Sequence, residues 1–181
     1  MEQFLNQFLL GSRTTLKQME EADLDSFIEI ENNLSTLLMA NDDIPFPNTA
    51  EDYSTFFKKI SAKKEEFIFG IYTTDTNRLI GSCGVYAINW KNSTCSVGIS
   101  LAADCQGQGY GTDAMQTLIS FIFNYIHINK IKLQVFSFNE QAIRSYEKCG
   151  FITEGILRNE IFRFGQFYDV HIMGILREDF Y

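Results

Sequence analysis

A glycine-rich segment that follows a short strand is the feature that most constrains this chain. The apolar run Thr94–Leu101 leads into Gln106–Gly111, and a helix with regularly spaced apolar residues begins at once. Glycine at three alternate positions allows backbone conformations closed to other residues and lets a ligand come close. The free N–H groups of the first helical turn and the helix dipole favour an anion there, and a phosphate fits best. The alternative is a tight strand–helix connection that binds nothing.

Two nucleotide-binding motifs can be tested directly against this segment. A dinucleotide fingerprint requires a third glycine where Thr112 stands, and an acidic residue about 20 positions further on, near Lys130, where none occurs. A phosphate-binding loop of the Walker type would end in Gly-Lys-Ser/Thr, which is absent. The pattern that remains, Gln-x-x-Gly-x-Gly at Gln106, Gly109 and Gly111, resembles the acetyl-coenzyme-A loop of the GNAT N-acetyltransferases.

A second motif about 30 residues downstream strengthens this resemblance. The segment from Asn139 to Phe151 resembles the GNAT signature Asn-x-x-Ala-x-x-x-Tyr-x-x-x-Gly-Phe at every fixed position, including Ala142, Tyr146 and Gly150. The nearby segments 154–158 and 165–169 are similar to the RimJ/RimL-type branch, which contains spermidine acetyltransferases. The resemblance extends from Thr14 to Tyr181, and we expect residues 1–181 to form one domain.

The order of predicted elements is α+β with mostly antiparallel strands. Helical periodicity predicts one helix running from Glu20 through Leu38, another over Thr49–Ala62, a long helix after the glycine loop, and a short helix from Glu140 to Lys148. Alternation and turn residues predict strands over Ser12–Met19, Phe67–Tyr72, Leu79–Ile88, Thr94–Leu101, 131–136, Phe151–Leu157 and Ile161–Ile175, the last broken by a turn at Arg163-Phe164-Gly165-Gln166. The resemblance implies the GNAT fold, a mixed, mostly antiparallel twisted sheet with helices on both faces.

The resemblance also implies where acetyl-CoA binds. The end of the strand 96–101 would separate from its neighbour and pair with the pantetheine arm, while amides of the glycine-rich loop would hold the diphosphate. Asn139 would contact the cofactor arm, although a role as a helix N-cap explains it equally well. The predicted cofactor-binding residues are Ser100, Leu101, Ala102, Gln106, Gly107, Gln108, Gly109, Tyr110, Gly111, Thr112, Asn139 and Ala142.

Tyr146 is the predicted catalytic acid, and its alternative role is that of a core aromatic residue. When an amine attacks the thioester directly, a thiolate leaves, whose conjugate thiol has a pKa of about 8.5 by analogy with cysteine. A phenol with an ordinary pKa of about 10 is protonated at neutral pH and can donate a proton to that sulfur. Cys149, which lies close to Tyr146 in sequence, is expected to be a packed thiol and not a nucleophile.

The predicted base is Glu31. Related sequences often carry a glutamate on the strand before the glycine loop, where this chain has Ser96. Glu31 falls on the apolar stripe of its helix at i+7 from Leu24, and an inward carboxylate is costly unless it faces a partner or a wet cleft. We therefore expect Glu31 to line the substrate pocket and serve as base. The alternatives are a water chain to solvent and a stripe that simply ends early.

Charge and composition limit the kinds of partner that this chain can bind. Residues 1–60 carry 11 acidic and 4 basic residues, a net charge of −7 out of −8 for the whole chain. No basic face is available for nucleic acid, whereas an acidic surface favours a cationic substrate. No apolar run approaches the roughly 20 residues of a membrane span. Scattered cysteines without C-x-x-C spacing, together with the lack of an export signal, predict free thiols, no metal site and a cytoplasmic protein.

These observations lead to one preferred function and three alternatives. We expect an acetyl-CoA-dependent transferase that acetylates a primary amine, such as the polyamine spermidine. The alternatives are acetylation of protein N-termini and, from a different class, a catalytically silent CoA-binding regulatory module, which Tyr146 disfavours. An NAD-dependent enzyme is excluded by Thr112 and the antiparallel strand order. The aromatic hairpin 162–168 is a candidate contact for a homodimer, or part of the core.

Overall fold

The computed structural model describes residues 9–40, 42–60 and 66–181, which form seven strands and six helices within those ranges. The strands are β1 (Thr14–Lys17), β2 (Phe67–Thr73), β3 (Leu79–Asn89), β4 (Thr94–Leu101), β5 (Lys130–Phe136), β6 (Ile152–Arg163) and β7 (Gln166–Leu176). The helices are α1 (Leu24–Glu31), α2 (Leu34–Ala40), α3 (Ala50–Ile60), α4 (Tyr110–Tyr125), α5 (Glu140–Lys148) and α6 (Arg177–Phe180). Short 3-10 turns cover Glu21–Asp23 and Ala103–Cys105.

The seven strands form one sheet in the order β1-β2-β3-β4-β5-β7-β6. All neighbouring strands are antiparallel except β4 and β5, which are parallel and are joined through α4. A parallel pair needs a long crossover, whereas tight turns suffice for β2–β3–β4 and β6–β7. The predicted α+β class with a mixed, mostly antiparallel sheet is confirmed.

Helices cover both faces of this sheet. On one face, the side chains of Ile99 and Leu101 of β4 approach Gly111 at the start of α4. On the opposite face, Ser82 of β3 donates a hydrogen bond to Glu31 at the end of α1. Side chains of a strand alternate between faces, so α4 and α1 lie on opposite sides of the sheet.

The core is built around α4. Its predicted apolar stripe is fully buried at Met115, Leu118, Ile119 and Ile122. Each such side chain contributes roughly 1.5–3 kcal/mol through burial, which fixes the helix on the sheet. The helix ends at Tyr125, one residue before the end of the predicted stripe at Ile126.

Strands β4 and β5 separate after three paired residues. Thr94 to Ser96 pair with Lys130 to Lys132, and no pairing continues to Leu101. The remaining half of β4 pairs only with β3 on its other side, so its free edge borders an open gap. The expected separation at the end of strand 96–101 is therefore present.

The single long helix predicted from Glu20 is wrong. It consists of α1 and α2, separated at Asn32 and Asn33. The Asn33 side chain accepts a hydrogen bond from the backbone N–H of Ser35 at 3.0 Å, as a helix N-cap does. The break shifts the phase of the second helix, so that Leu37 is buried while Leu34, on the predicted stripe, is 65% exposed.

Two other boundaries differ from prediction. The predicted break between Leu157 and Ile161 lies inside the long strand β6, as a register shift with Asn159 at φ +52°. The Asn159 N–H donates to the carboxylate of Asp169 on β7 at 2.9 Å, so the irregularity is tied to the neighbouring strand. The first strand is shorter than predicted and covers Thr14–Lys17. Residues 61 and 62, the end of the helix predicted over Thr49–Ala62, lie outside the described residues.

Candidate active site

The gap between β4 and β5 opens into a cleft of about 1210 Å³. This volume exceeds the roughly 300–1,000 Å³ of a pocket for one small ligand, so there is room for two reactants. One end of the cleft is bordered by the glycine loop and α5, and the other by α1 and α2. The central walls are residues 96–101 of β4 and 132–136 of β5.

The glycine loop adopts the conformations that its sequence predicts. Gly107 and Gly109 have φ angles of +72° and +89°, in the left-handed region that favours glycine. Gly109 is the N-cap of α4, so the N–H groups of the first turn of α4 have no partner within the helix. The Gln106 side chain donates to the Leu101 carbonyl at 3.0 Å and fastens the loop to the end of β4. The loop is therefore shaped to bind an anion.

Most of the predicted cofactor-binding residues border the cleft together. These are Ser100, Leu101, Gln106, Gly107, Gly109, Gly111, Thr112, Asn139 and Ala142. Ala102, Gln108 and Tyr110 do not border it. The N–H of buried Ala102 donates to Ile80, while the Gln108 carbonyl and the Tyr110 ring both contact Arg13.

Helix α5 supplies the signature residues. The Asn139 side chain accepts the N–H of Ala142 at 3.2 Å, so its role as an N-cap is confirmed. A hydrogen bond of 2.8 Å between the hydroxyls of Thr112 and Ser145 fastens α5 to the start of α4. These contacts place α5 along the cleft, on the side of the glycine loop.

Tyr146 of α5 borders the cleft while it is largely buried. Its ring packs edge-on against Phe151 with centroids 5.9 Å apart, which fixes its direction. Burial, with a smaller effect from neighbouring Cys149, raises the pKa of Tyr146 to about 12. The phenol is therefore fully protonated at neutral pH and available as a proton donor. Cys149 itself is buried and does not border the cleft, and burial raises its pKa to about 12.

Glu31, at the end of α1, borders the cleft from the face of the sheet opposite α4. Its carboxylate accepts a hydrogen bond from Ser82 at 3.2 Å. Ser100 lies directly opposite Ser82 on β4, and its hydroxyl also favours the ionised form of Glu31, which lowers the Glu31 pKa. This buried hydroxyl has no hydrogen bond of regular geometry within the described residues. Burial is the stronger effect, so the pKa of Glu31 is raised above its ordinary value. Glu31 is thus a carboxylate whose proton affinity is increased.

Tyr86 and Thr36 border the cleft but were not predicted. Tyr86 lies opposite Ser96 in the β3–β4 register, and burial raises its pKa. Tyr86 and Ser82 are four residues apart on β3, so their side chains lie on the same face of the sheet. Alternation along β3 therefore indicates Tyr86 once that face is known to form the site. Thr36 could not be predicted, because its burial depends on the break between α1 and α2.

Within the described ranges, no group of three or more histidine, cysteine or acidic side chains is arranged to hold a metal ion. All four cysteines are free and buried. Among the helices described, none has the length and apolar character needed to cross a bilayer.

Comparison with known proteins identifies the family. Residues 13–152 match the family described as the acetyltransferase (GNAT) domain. The chain therefore belongs to the GNAT N-acetyltransferases, and it uses acetyl-CoA as its acetyl donor. The glycine loop, the separated strands and the α5 signature fit that cofactor at one site.

Individual relatives cover nearly the whole chain. It is 29% identical over 171 residues to a spermidine N(1)-acetyltransferase of Vibrio cholerae, covering 94% of this chain and 97% of that one. It is 28% identical over 170 residues to an uncharacterized N-acetyltransferase, YokL, of Bacillus subtilis, covering 94% and 93%. The crystal structure of spermidine N-acetyltransferase from Vibrio cholerae with CoA and spermine aligns with a TM-score of 0.85 at 27% identity, covering 93% and 98%.

Proposed function

We propose that this enzyme acetylates the primary amine of a polyamine such as spermidine. The observation that carries the proposal is the half-buried carboxylate of Glu31 in the part of the cleft opposite the glycine loop. Asp42 borders the same part of the cleft, so a cationic amine would meet two carboxylates there. Similarity to spermidine acetyltransferases over nearly the full chain supports the same substrate class and a place in the RimJ/RimL-type branch.

The cofactor would lie between the separated strands. Backbone groups on the free edge of β4, near Ser100, would pair with the pantetheine arm, and the first-turn amides of α4 would bind the diphosphate. A side chain larger than that of Ala142 would narrow the cleft beside that arm. Acetyl-CoA supplies the activated thioester; the chain supplies orientation and proton transfer.

Glu31 and Tyr146 would divide the proton transfers between them. The amine loses a proton to Glu31, its nitrogen attacks the thioester carbonyl, and the carbon–sulfur bond breaks. The departing sulfur takes a proton from the Tyr146 phenol, and the phenolate regains a proton as the new amide nitrogen loses its second one. Burial raises the pKa of the phenol and makes it a weaker acid, and desolvation of the leaving thiolate would raise the pKa of the thiol and offset part of this difference.

Position 96 carries serine in place of the glutamate that related sequences often have, and this supports Glu31 as the base. Ser96 lies at the last paired position of β4 and β5, beside Lys132, and cannot remove a proton from an ammonium group. Its register partner Tyr86 has a raised pKa, so its phenol stays protonated at neutral pH and cannot accept a proton from the amine. Of the cleft residues just described, Glu31 is a carboxylate whose pKa burial raises above the ordinary value, so it holds a transferred proton more strongly than an exposed glutamate does.

The test is release of free thiol from acetyl-CoA with spermidine, spermine and peptides of different N-termini. Turnover on polyamines supports the proposal, and turnover on peptides alone assigns the enzyme to protein N-termini. Acetyl-CoA binding without turnover on any amine would favour the silent module, which membership in an enzyme family argues against.

Glu31→Gln tests the base. On the accepted amine, kcat/KM of the wild type is expected to rise with pH through the raised pKa of Glu31, because only the ionised carboxylate accepts a proton. The variant should lose this dependence, whereas Glu29→Gln, on the exposed side of α1, should retain it. A pH–rate profile that is unchanged in Glu31→Gln would leave a water chain as the route for the proton.

We further propose that the enzyme forms a homodimer through the β6–β7 hairpin and works in the cytoplasm, where its free thiols remain reduced. Phe162 and Phe167 are register partners that pack together, yet each is more than half exposed. Contiguous exposed apolar side chains are typical of interaction surfaces, and this pair supports the proposed one. Phe162→Ser combined with Phe167→Ser should lower the mass measured by light scattering, while Trp90→Ser, another exposed aromatic, should not.

A further inference from the structure

The residues just before and at the start of β1 are fastened to the first turn of α4 through one carboxylate. Oδ1 of Asp113 accepts the backbone N–H and the hydroxyl of Ser12, at 2.9 and 2.6 Å. Oδ2 accepts the N–H of Arg13 at 3.1 Å and the N–H and hydroxyl of Thr14 at 2.9 and 2.6 Å. The Arg13 carbonyl in turn accepts the N–H of Thr74 at 3.1 Å. The backbone of Arg13 is therefore fixed beside the glycine loop.

From this position the Arg13 side chain covers the second half of the loop. Its guanidinium donates a hydrogen bond to the backbone carbonyl of Gln108 and lies 4.7 Å from the centre of the Tyr110 ring. A Cβ atom added to Gly109 would lie only 3.2 Å from the guanidinium nitrogen. Arg13 itself does not border the cleft, so it contacts the loop from behind.

This contact determines the direction of one peptide. The carbonyl of Gln108 and the N–H of Gly109 belong to the same planar trans peptide, and the two groups point in opposite directions. When Arg13 holds the carbonyl on its own side, the Gly109 N–H points to the other side. Gly109 borders the cleft there, whereas Gln108 does not.

The geometry points to Arg13 as a positioning residue that orients the Gln108–Gly109 peptide, so that the Gly109 N–H faces the diphosphate of acetyl-CoA. This inference rests on the proposed placement of the cofactor. The arginine also offsets the negative charge that Asp113 brings within one turn of an anion site. Asp113 is tolerated there because its oxygens are occupied by five donors.

Calorimetric titration with CoA and with pantetheine, the same thiol arm without the diphosphate and the adenosine part, tests the inference without any knowledge of the acceptor amine. Arg13→Ala should weaken CoA binding about tenfold, equivalent to about 1.4 kcal/mol, and leave pantetheine binding within about twofold. Lys17→Ala is the matched control, because Lys17 is a basic residue at the far end of β1 and lies 4.6 Å from the Tyr72 ring, away from the loop. It should leave both ligands unaffected.

Two results would overturn the inference. CoA binding to Arg13→Ala within about twofold of wild type would show that the loop keeps its shape without the guanidinium. Equal weakening of CoA and pantetheine would show general damage to the cleft rather than loss of one oriented peptide. Failure of the wild type to bind CoA would instead refute the proposed cofactor site.

Discussion

Asp113→Asn is expected to destabilise the fold far more than an ordinary loss of one charge. The carboxylate joins chain segments about 100 residues apart and accepts hydrogen bonds from three backbone N–H groups and two hydroxyls. An asparagine amide has the same shape but only one acceptor oxygen. It is therefore a test of hydrogen bonding rather than of packing.

The size of the effect follows from the distribution of donors. With its oxygen in place of Oδ2, the amide keeps the bonds from Arg13 and Thr14, while its NH2 group meets the N–H of Ser12. The Ser12 hydroxyl can rotate to accept, but the backbone N–H cannot. One charge-assisted bond of roughly 1.5–3 kcal/mol is lost and three are weakened, and water satisfies part of this exposed site. We expect a loss of about 2–3 kcal/mol in the free energy of unfolding.

Urea unfolding at pH 7 measures this loss, with Asp25→Asn as control. Asp25 is an exposed carboxylate in the first turn of α1, so it shares the helix-dipole term without the five donors. Burial alone would raise the pKa of Asp113, but the hydrogen bonds from Ser12, Thr14 and the backbone lower it. Its stabilisation is thus complete above the unfolded pKa of about 3.9 and lost as pH falls through the folded value. A loss at pH 7 no larger than that of Asp25→Asn, or one independent of pH, would refute this reasoning.

Three further outcomes are expected. Gly150→Ala should cost about 1–2 kcal/mol in urea unfolding, since Gly150 has φ +95° and an added Cβ would meet Ile175 at 3.0 Å; Gly155→Ala, with open space, should cost much less. Glu31→Gln should stabilise the protein at pH 8 and not below pH 4, as measured by urea unfolding, because a raised carboxyl pKa removes stability as pH rises. Tyr146→Phe should lower kcat about 10²–10⁴-fold with little change in acetyl-CoA binding by calorimetry.

The elements that could be predicted from sequence are those defined by local chemistry. The helix α5 has its cap at Asn139 and its terminating glycine at Gly150, and both boundaries agree with prediction. Gly107 and Gly109 of the loop have positive φ angles, as the predicted anion site requires of glycine. In each case the residues that decide the structure lie within a few positions of one another.

What could not be predicted depends on contacts between distant segments. Asn32 ends α1 because its side chain exchanges two hydrogen bonds with the backbone of Asn48 and accepts a third from Tyr53. The pairing of Arg13 with the glycine loop spans 95 positions and leaves no periodic pattern in the sequence. The stripe alone predicts Glu31, whereas Ser82 and Ser100, which partly offset the effect of burial on its pKa, are apparent only from the sheet register.

A base on α1 has a consequence for specificity if Glu31 serves as proposed. The same helix then borders the acceptor part of the cleft and carries the proton acceptor, so substrate binding and proton removal depend on one element. Ser82→Ala removes a hydrogen bond that favours the ionised carboxylate, so it should shift the acid limb of the pH profile upward in the wild type. The same change in a Glu31→Gln background has no carboxylate to act on and should shift nothing. A nonadditive pair of this kind is the signature of a hydroxyl that acts through Glu31, whereas additive losses would mean that Ser82 contributes only to packing.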